Sequence, residues 1–340
     1  MLTVAYIGFG NSVVRYHLPF IKDNKNVMIK WVYRRQEDRA LPGEMDRELL
    51  YPNFRFTSNL DEILNDTEVN LVSINTHVDV HYEYAKKFIL AGKNVLVEKP
   101  FTNTIEEAKE LFELAKEKGV VISCNNNRRF DADLQTLKKV LDSKVLGDIV
   151  EIQSHYHYFK PNMIKRNPSQ PKQMGMVSGL AIHPIDQMIY LFGKPDSIRY
   201  DVRSVCSEDS DDNIDIDFYY GRMKFTVKTS VCAKIDFPKF IVHGTKGSFI
   251  KNSQGHLSSN KSEPVVVSFE PEPNTNWGHI SYIDENGNDV DTTIQSEVTE
   301  YGKIYDNMDE VINEKGTLLV NADQIMQVLT IVKEAEASLK

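Results

Sequence analysis

The run Asn94-Val95-Leu96-Val97-Glu98-Lys99-Pro100-Phe101-Thr102 constrains the fold more than any other stretch. Val95, Leu96 and Val97 form a short unbroken apolar run, the pattern of a strand buried on both faces. Pro100 cannot donate a ladder hydrogen bond, so the strand ends there. An Ala91-Gly92-Lys93 turn leads into it. Two opposite charges, Glu98 and Lys99, therefore stand at the carboxyl end of a buried strand. In an open α/β sheet that edge is where ligands bind.

The chain before and after this run alternates strands with helices. Residues 3–9 read as a strand that passes into Gly8-Phe9-Gly10-Asn11-Ser12-Val13, a partial G-x-G-x-x-V dinucleotide fingerprint. Gly8 suits the tight turn and Gly10 lets the backbone approach a pyrophosphate. The amides of the following helix N-terminus, with Phe9, Asn11 and Ser12 in the loop, are positioned to hold the phosphates. Val13 stands where a small residue is usual. A helix over 14–21 is interrupted by Pro19, a strand covers 27–33, and 36–53 reads as polar and irregular. Strand 54–57, helix 59–64 capped by Ser58, strand 69–75 and helix 82–91 follow. Thr104 and Glu107 form a capping box for a helix that runs to Lys118, and Gly119 closes it before a strand over 120–123. This alternation predicts a doubly wound parallel sheet, a Rossmann domain over residues 1–122. Its second strand delivers Tyr33-Arg34-Arg35 to the adenosine end of a cofactor. An acid there suits NAD, and arginine suits a 2′-phosphate. NADP(H) is therefore the preferred cofactor, bound by Arg34, with NAD(H) as the alternative because Glu37 and Asp38 follow closely.

After residue 122 the pattern changes. Asn125-Asn126-Asn127-Arg128-Arg129-Phe130 is either a solvated turn or a run that reaches cofactor or substrate, with Asn126 as the candidate contact. A helix over 132–143 and long strands over 149–159, 197–206, 214–220, 223–232 and 239–243 predict a mostly antiparallel sheet with one open face. The turn His243–Ser248 is structural. Residues 252–300 are variable in character, 301–313 form a helix, and Asn321 caps the last helix, 322–339. The domain expectation is an α+β substrate and oligomerisation domain over 123–320 and a terminal segment over 321–340. In the strand His155-Tyr156-His157-Tyr158 the histidines face one way and the tyrosines the other. One face lines a pocket in one reading, with Tyr158 a candidate substrate contact. No compact set of ligands completes His155-x-His157, so no metal is expected. Residues 162–173, rich in Pro and Lys, either cover the substrate or lie disordered.

Net charge is −9, which disfavours a nucleic-acid partner because phosphate binding needs a basic field. No apolar stretch approaches a membrane span, and the N-terminus reads as a strand. Three scattered cysteines make neither a disulfide framework nor a zinc site, and the default location is the cytoplasm. A small molecule is the expected partner.

The ordered set Gly8/Gly10, Glu98-Lys99-Pro100 and His183…Asp186 is the strongest part of a resemblance carried by the following motifs. Ala91–Pro100 fits (A/G)GKxVxxEKP. Thr76–His81 is similar to (T/N)PxxxH, with His77 in the proline position. Gly175–Gly193 is similar to GGGxxxDxGxHxxDxxxxxxG, matched at His183, Asp186 and Gly193. The chain resembles the Gfo/Idh/MocA family of nicotinamide-dependent oxidoreductases over essentially its whole length. The resemblance implies that Lys99 reaches the reacting oxygen and that His183 is the general acid/base. It also implies that Thr76, His81 and Glu98 lie near the cofactor, and that Lys99–Pro100 is cis. The last helix would return to the first domain, and dimers or tetramers would form through the open sheet. The implied reaction is hydride transfer to or from a sugar, polyol or related hydroxy compound. Gly179 replaces the acid that commonly assists the histidine. Asp186, three residues after His183 on the same helix face, is then either its orienting partner, a substrate contact or a structural residue. A cofactor-binding sensor without turnover is the alternative. A lyase or hydrolase using bound NAD transiently is a third reading.

Overall fold

Leu2–Ile7 (β1) is buried at all six positions, so both its faces need cover. β2 (Val27–Tyr33) and β4 (Leu71–Ile74) flank it in parallel register. β3 (Arg55–Thr57), β5 (Asn94–Val97) and β6 (Ile122–Cys124) complete the order β3-β2-β1-β4-β5-β6, with every pairing parallel. The order reverses between β1 and β4, and their carboxyl ends border the crevice where such sheets bind ligands. The structure is a computed structural model that describes residues 1–41, 43–161, 175–207, 210–235, 237–252, 271–313 and 315–340. The 162–173 loop lies outside the described residues.

The chain divides into two units, Met1–Asn127 with Tyr301–Met326, and Arg128–Glu300 with Gln327–Lys340. The first division thus falls at 127/128 rather than 122/123. The last helix, Ala322–Ala337, does not simply return to the first domain. Its apolar stripe Val328, Ile331, Val332 and Ala335 joins the core of the second unit, as the i, i+3, i+4, i+7 spacing dictates. The segment that belongs to the first unit is 301–326, where Val320 O accepts from Ser123 Oγ at 2.8 Å.

Local chemistry explains the elements. The capping box of helix Ile105–Lys118 is present, with both Thr104–Glu107 bonds at 3.1 Å, and Gly119 closes the helix at φ 65°. Pro19 has no N–H to give to residue 15, and the helical run loosens into a π turn, Val13–His17, before Leu18–Ile21. Asn59, not Ser58, caps Leu60–Leu64, through its side-chain oxygen and Asp61 N. Residues 36–53, expected to be irregular, contain the short helices Gln36–Arg39 and Glu44–Leu49.

Among the described residues the second unit has eight strands: β7 (Ile149–His157), β8 (Ser197–Arg203), β9 (Asn213–Tyr220), β10 (Met223–Ser230), β11 (Phe240–Gly244), β12 (Gly247–Lys251), β13 (Gly278–Ile283) and β14 (Asp289–Ile294). Their order is β14-β13-β12-β11-β7-β10-β9-β8, antiparallel except between β7 and β10. One face supplies Ile214, Ile216, Phe218, Phe225 and Val227 to the core. The other carries cross-strand polar pairs such as Lys224–Glu151 and Thr226–Asp217. β13 and β14 fall in the stretch that the sequence left unassigned. Their signal was the Asn286-Gly287 turn, whose Gly287 takes φ 80° between two alternating runs. The turn Gly244–Gly247 is structural, as expected: a Cβ at Gly244 would lie 2.2 Å from Leu146 O.

Candidate active site

The glycine loop sits at the switch point of the first sheet. Gly8 has φ 94°, and a Cβ there would lie 2.7 Å from Asn75 O and 3.2 Å from the Thr76 methyl. Only glycine allows β1 and β4 to release their chains this close together. At Gly10 nothing lies within 4 Å of the Cβ position, so the backbone is open to a close approach. Helical residues begin at Asn11 and Ser12, directly after it. Thr76 Oγ1 is buried beside this loop without a hydrogen-bond partner among the described residues. An open glycine, a helix start and an orphaned hydroxyl on one edge suit a dinucleotide phosphate. Phe9 contributes backbone only, because its ring packs edge-on against Tyr51 and Phe56. Val13, fully buried, fills the third fingerprint position.

His81 is not available to a ligand. Its Nδ1 lies 2.9 Å from Pro100 O and its Nε2 3.1 Å from Thr76 O. Burial depresses its pKa, against the pull of both carbonyls. The imidazole ties the segment after β4 to the segment after β5, which corrects the cofactor-contact expectation.

The turn after β5 is held by a polar node in the first unit. The Lys99–Pro100 peptide is cis. Glu98 Oε1 lies 2.8 Å from His17 Nε2 and 2.5 Å from Asn125 Nδ2. His17 Nδ1 is 2.6 Å from the Tyr305 hydroxyl, which is 3.0 Å from that of Tyr6. Burial alone would raise the Glu98 carboxyl. The His17 and Asn125 hydrogen bonds and the Lys99 charge outweigh it and hold the group below its ordinary value of 4.5. Glu98 is therefore an anion at neutral pH, and its carboxylate anchors the turn from which Lys99 projects. Glu98, one of the expected cofactor contacts, has its Oε1 engaged by this node. His17, Asn125 and Tyr305 were missed in the sequence. Asn125 was passed over for its neighbour Asn126, which is buried with its Oδ1 3.4 Å from Cys124 Sγ.

At the end of β2, Arg34 is buried rather than open to a phosphate. Its Nη1 lies 2.9 Å from Glu48 Oε1, and Arg39 binds both oxygens of the same carboxylate at 2.9 and 2.8 Å. Arg35 is engaged by Asp38 through two bonds of 2.8 Å. Glu48, concealed in the stretch expected to be irregular, is the acid that the sequence did not offer at Arg34.

The second unit contains His183 in the first turn of helix Ile182–Phe192, after a π turn, Val177–Ala181. Its ring stacks on Tyr156 at 6.4 Å between centroids. Tyr156 is buried, accepts from Gln187 Nε2 at 3.3 Å and donates to Asp131 Oδ2 at 3.4 Å. The Lys239 ammonium lies on the Tyr156 ring. Burial pulls the Lys239 pKa down to about 7, with Asp133 and Asp131 opposing and Arg128 reinforcing the shift. Gln187 Oε1 is buried without a hydrogen-bond partner among the described residues. Gln187 and Lys239 were not singled out in the sequence, and Tyr156 only as one of the two tyrosines on a face of the His155–Tyr158 strand. The signal for Lys239 was a lysine opening an apolar strand. Tyr158, the expected substrate contact, is half-buried with the Lys160 ammonium 4.8 Å above its ring.

Asp186 departs from the role of orienting partner or substrate contact. Its two oxygens accept from Arg129 Nε and Nη2 at 2.8 and 2.6 Å, and both residues are fully or nearly fully buried. A planar guanidinium fork matches a carboxylate face to face, and this pair fixes the helix of His183 to the segment that opens the second unit. Gly179 adds no acid, and no atom lies within 4 Å of its Cβ position. Among the described residues, no group of three or more His, Cys, Asp or Glu side chains is arranged to hold a metal. Among them, too, no helix is long and apolar enough to cross a membrane.

A glycine loop at a parallel-sheet switch point, beside a charged turn and followed by an open-sheet unit, defines a dinucleotide-dependent two-unit α/β protein. Residues 2–126 match the family model of the oxidoreductase family with an NAD-binding Rossmann fold, and 134–250 match the GFO/IDH/MocA C-terminal domain. The chain belongs to the Gfo/Idh/MocA oxidoreductase family. It is 41% identical to the uncharacterized oxidoreductase YhhX of Escherichia coli, over 98% of this chain and 95% of that one. It is 29% identical to the scyllo-inositol 2-dehydrogenase (NADP(+)) IolW of Bacillus subtilis, over 100% and 94%. The crystal structure of an oxidoreductase from Bacillus cereus superposes with a TM-score of 0.89 at 38% identity, covering 99% of this chain and 96% of that one.

Asp186→Asn leaves the Arg129 guanidinium buried against a neutral amide. Breaking a buried pair in this way costs about 3–5 kcal/mol. Urea unfolding of the variant should show a loss of that size, and a loss under about 1 kcal/mol would mean that the pair does not secure the helix.

Proposed function

We propose that the chain is an NAD(P)-dependent dehydrogenase or reductase acting on a CH–OH or C=O carbon of a sugar, polyol or related small molecule. The observation that carries this reading is the turn bearing Lys99, which the Glu98 node anchors at the carboxyl edge of the first sheet. Gly8, Gly10 and the amides at Asn11 and Ser12 would hold the cofactor phosphates, and the Thr76 hydroxyl gains a partner. When bound, the nicotinamide supplies the hydride donor or acceptor. Lys99 hydrogen-bonds the reacting oxygen and stabilises its developing negative charge. His183 gives or takes the proton of that oxygen, oriented by its stack on Tyr156. The carboxamide of Gln187 and the Lys239 ammonium add polar groups suited to hydroxyls. The name of the Bacillus subtilis relative supports a polyol substrate. The absence of an acid at Gly179 favours the sensor reading, and turnover separates the two.

NADP(H) remains the proposed preference, on corrected grounds. Arg34 does not act as an isolated fork. Arg34 and Arg39 together face Glu48, so this group of three carries one surplus positive charge, while Arg35 beside it is paired with Asp38 and Glu37. That charge suits a 2′-phosphate, and the relative named above is an NADP(+) enzyme.

Two outcomes follow. In assays on a panel of polyols and sugars, Lys99→Met should lower turnover by about a hundredfold, the scale of losing one transition-state donor. Its cofactor affinity should change far less. A variant with near wild-type turnover removes Lys99 from the chemistry, and a wild type inactive on every member counts against the enzyme reading. In titrations, NADPH should bind more tightly than NADH, and Arg39→Ala, which cancels the net charge while leaving the Arg34–Glu48 pair, should shrink the difference. Equal or tighter binding of NADH by the wild type contradicts the preference.

A further inference from the structure

Cys206 and Cys232 are far apart in sequence, yet their Sγ atoms stand 2.8 Å apart. Sheet register brings them together. β8 and β10 flank β9, and both Arg203 and Ser230 pair with Asn213. The chain leaves the sheet on both sides of that one residue, and the two cysteines follow within a few positions. Their backbones are fixed. The Asp212 carboxylate accepts from the amides of Val205, Cys206 and Ser207 at 2.9, 2.6 and 2.9 Å. Cys232 N donates to Ser230 Oγ at 3.0 Å, and Val231 N donates to Asp212 O at 3.2 Å. Cys232 is exposed and Cys206 half-buried.

We propose that Cys206 and Cys232 form a reversible disulfide, with hydrogen peroxide as the oxidant. The exposed Cys232 attacks first as thiolate. Its sulfur takes an OH from the peroxide to become a sulfenic acid, and the second oxygen leaves as hydroxide, protonated to water. The Cys206 sulfur then attacks the Cys232 sulfur and displaces the hydroxyl. The S–S bond forms, and the departing hydroxide takes the Cys206 proton as a second water. The two thiols lose two electrons and two protons, and one peroxide becomes two waters. The order suits the chemistry of the pair. The hydrogen bond to Cys232, with burial and the neighbouring charges of Cys232 and Asp212, pushes the Cys206 thiol up to about 11. Cys206, half-buried beside the exposed Cys232, serves as the resolving group.

The bond has a target within the same unit. Asp211, adjacent to the Asp212 that holds Cys206, accepts from Val177 N through its carboxylate and from Met176 N through its carbonyl at 3.1 Å. A Cβ at Gly175 would lie 1.7 Å from an Asp211 oxygen, so the contact requires glycine there. Asp211 thus caps the turn Val177–Ala181 that opens the His183 helix. Oxidation closes a clasp on that cap, and reduction by a dithiol opens it.

The test uses the full-length reduced chain, treated with stoichiometric hydrogen peroxide and then mapped as non-reduced peptides by mass spectrometry. The expected product is an intramolecular pair joining 206 to 232 that has lost the mass of two hydrogens. The free thiol count should fall from three to one, that of Cys124, and dithiothreitol should restore it. Cys232→Ser should give no bridge. Hydrogen exchange of the amides at 176–183 should slow on oxidation in the wild type and stay unchanged in Cys206→Ser/Cys232→Ser. Persistent thiols, sulfinic or sulfonic acids in place of the bridge, or only intermolecular bridges overturn the proposal. Bridge formation with unchanged exchange overturns the coupling to the His183 helix.

Discussion

One carboxylate oxygen, Oε1 of Glu98, receives both His17 and Asn125. The two donors come from separate places in the first unit, the opening helical run and the segment after β6, and meet the acceptor at the end of β5. Tyr305, from the late return of the chain, closes the node through His17. A buried carboxylate costs free energy unless it is hydrogen-bonded and paired, so the groups around Glu98 must be complete for the turn to keep its shape. That requirement places Lys99 at a defined position on the sheet edge. It also gives the glycine loop its neighbour, since His81 sits within hydrogen-bond distance of the carbonyls of both Thr76 and Pro100 and, as a neutral ring, donates to one of them. The catalytic proposal rests on this arrangement of ordinary hydrogen bonds around one anion.

Much of the first unit was legible because its signals are local. A buried strand announces itself by an unbroken apolar run, a capping box by Thr104 and Glu107, a switch-point turn by Gly8 and Gly10. The parallel sheet, the β2 boundaries and the helix over 132–143 follow from such signals. Partners chosen by tertiary packing were not legible. Nothing in the sequence links Glu98 to His17, eighty-one positions away. Arg34 reads as a phosphate ligand until Glu48 is placed beside it. Asp186 reads as a helper of His183 because the helical spacing permits it, yet a buried guanidinium from Arg129 outcompetes the nearby imidazole. β13 and β14 were passed over because few apolar residues mark them, Ile280, Tyr282 and Ile294 being those that reach the core, so the turn is the clearest signal.

The second unit handles the missing acid at Gly179 by packing rather than by substitution within the helix. The His183 ring lies 6.4 Å from that of Tyr156 between centroids, tilted by 27°, and the Tyr156 hydroxyl joins Gln187 and Asp131. Arg129 and Asp186 secure the same helix from within. Gly179 itself brings no charge to this turn of the helix.

The most direct measurement is a double-mutant cycle on unfolding free energy between His17→Ala and Glu98→Gln, in neutral buffer and again in acid. Glu98 is held below its ordinary value of 4.5. Its contribution is therefore complete above that value and is lost as the pH falls through the lower, folded-state value. Near neutrality the two substitutions should couple by about 1–3 kcal/mol, as groups in one network do, and the coupling should fade in acid. Additivity within about 0.5 kcal/mol at neutral pH would contradict the claim that this node holds the Lys99 turn.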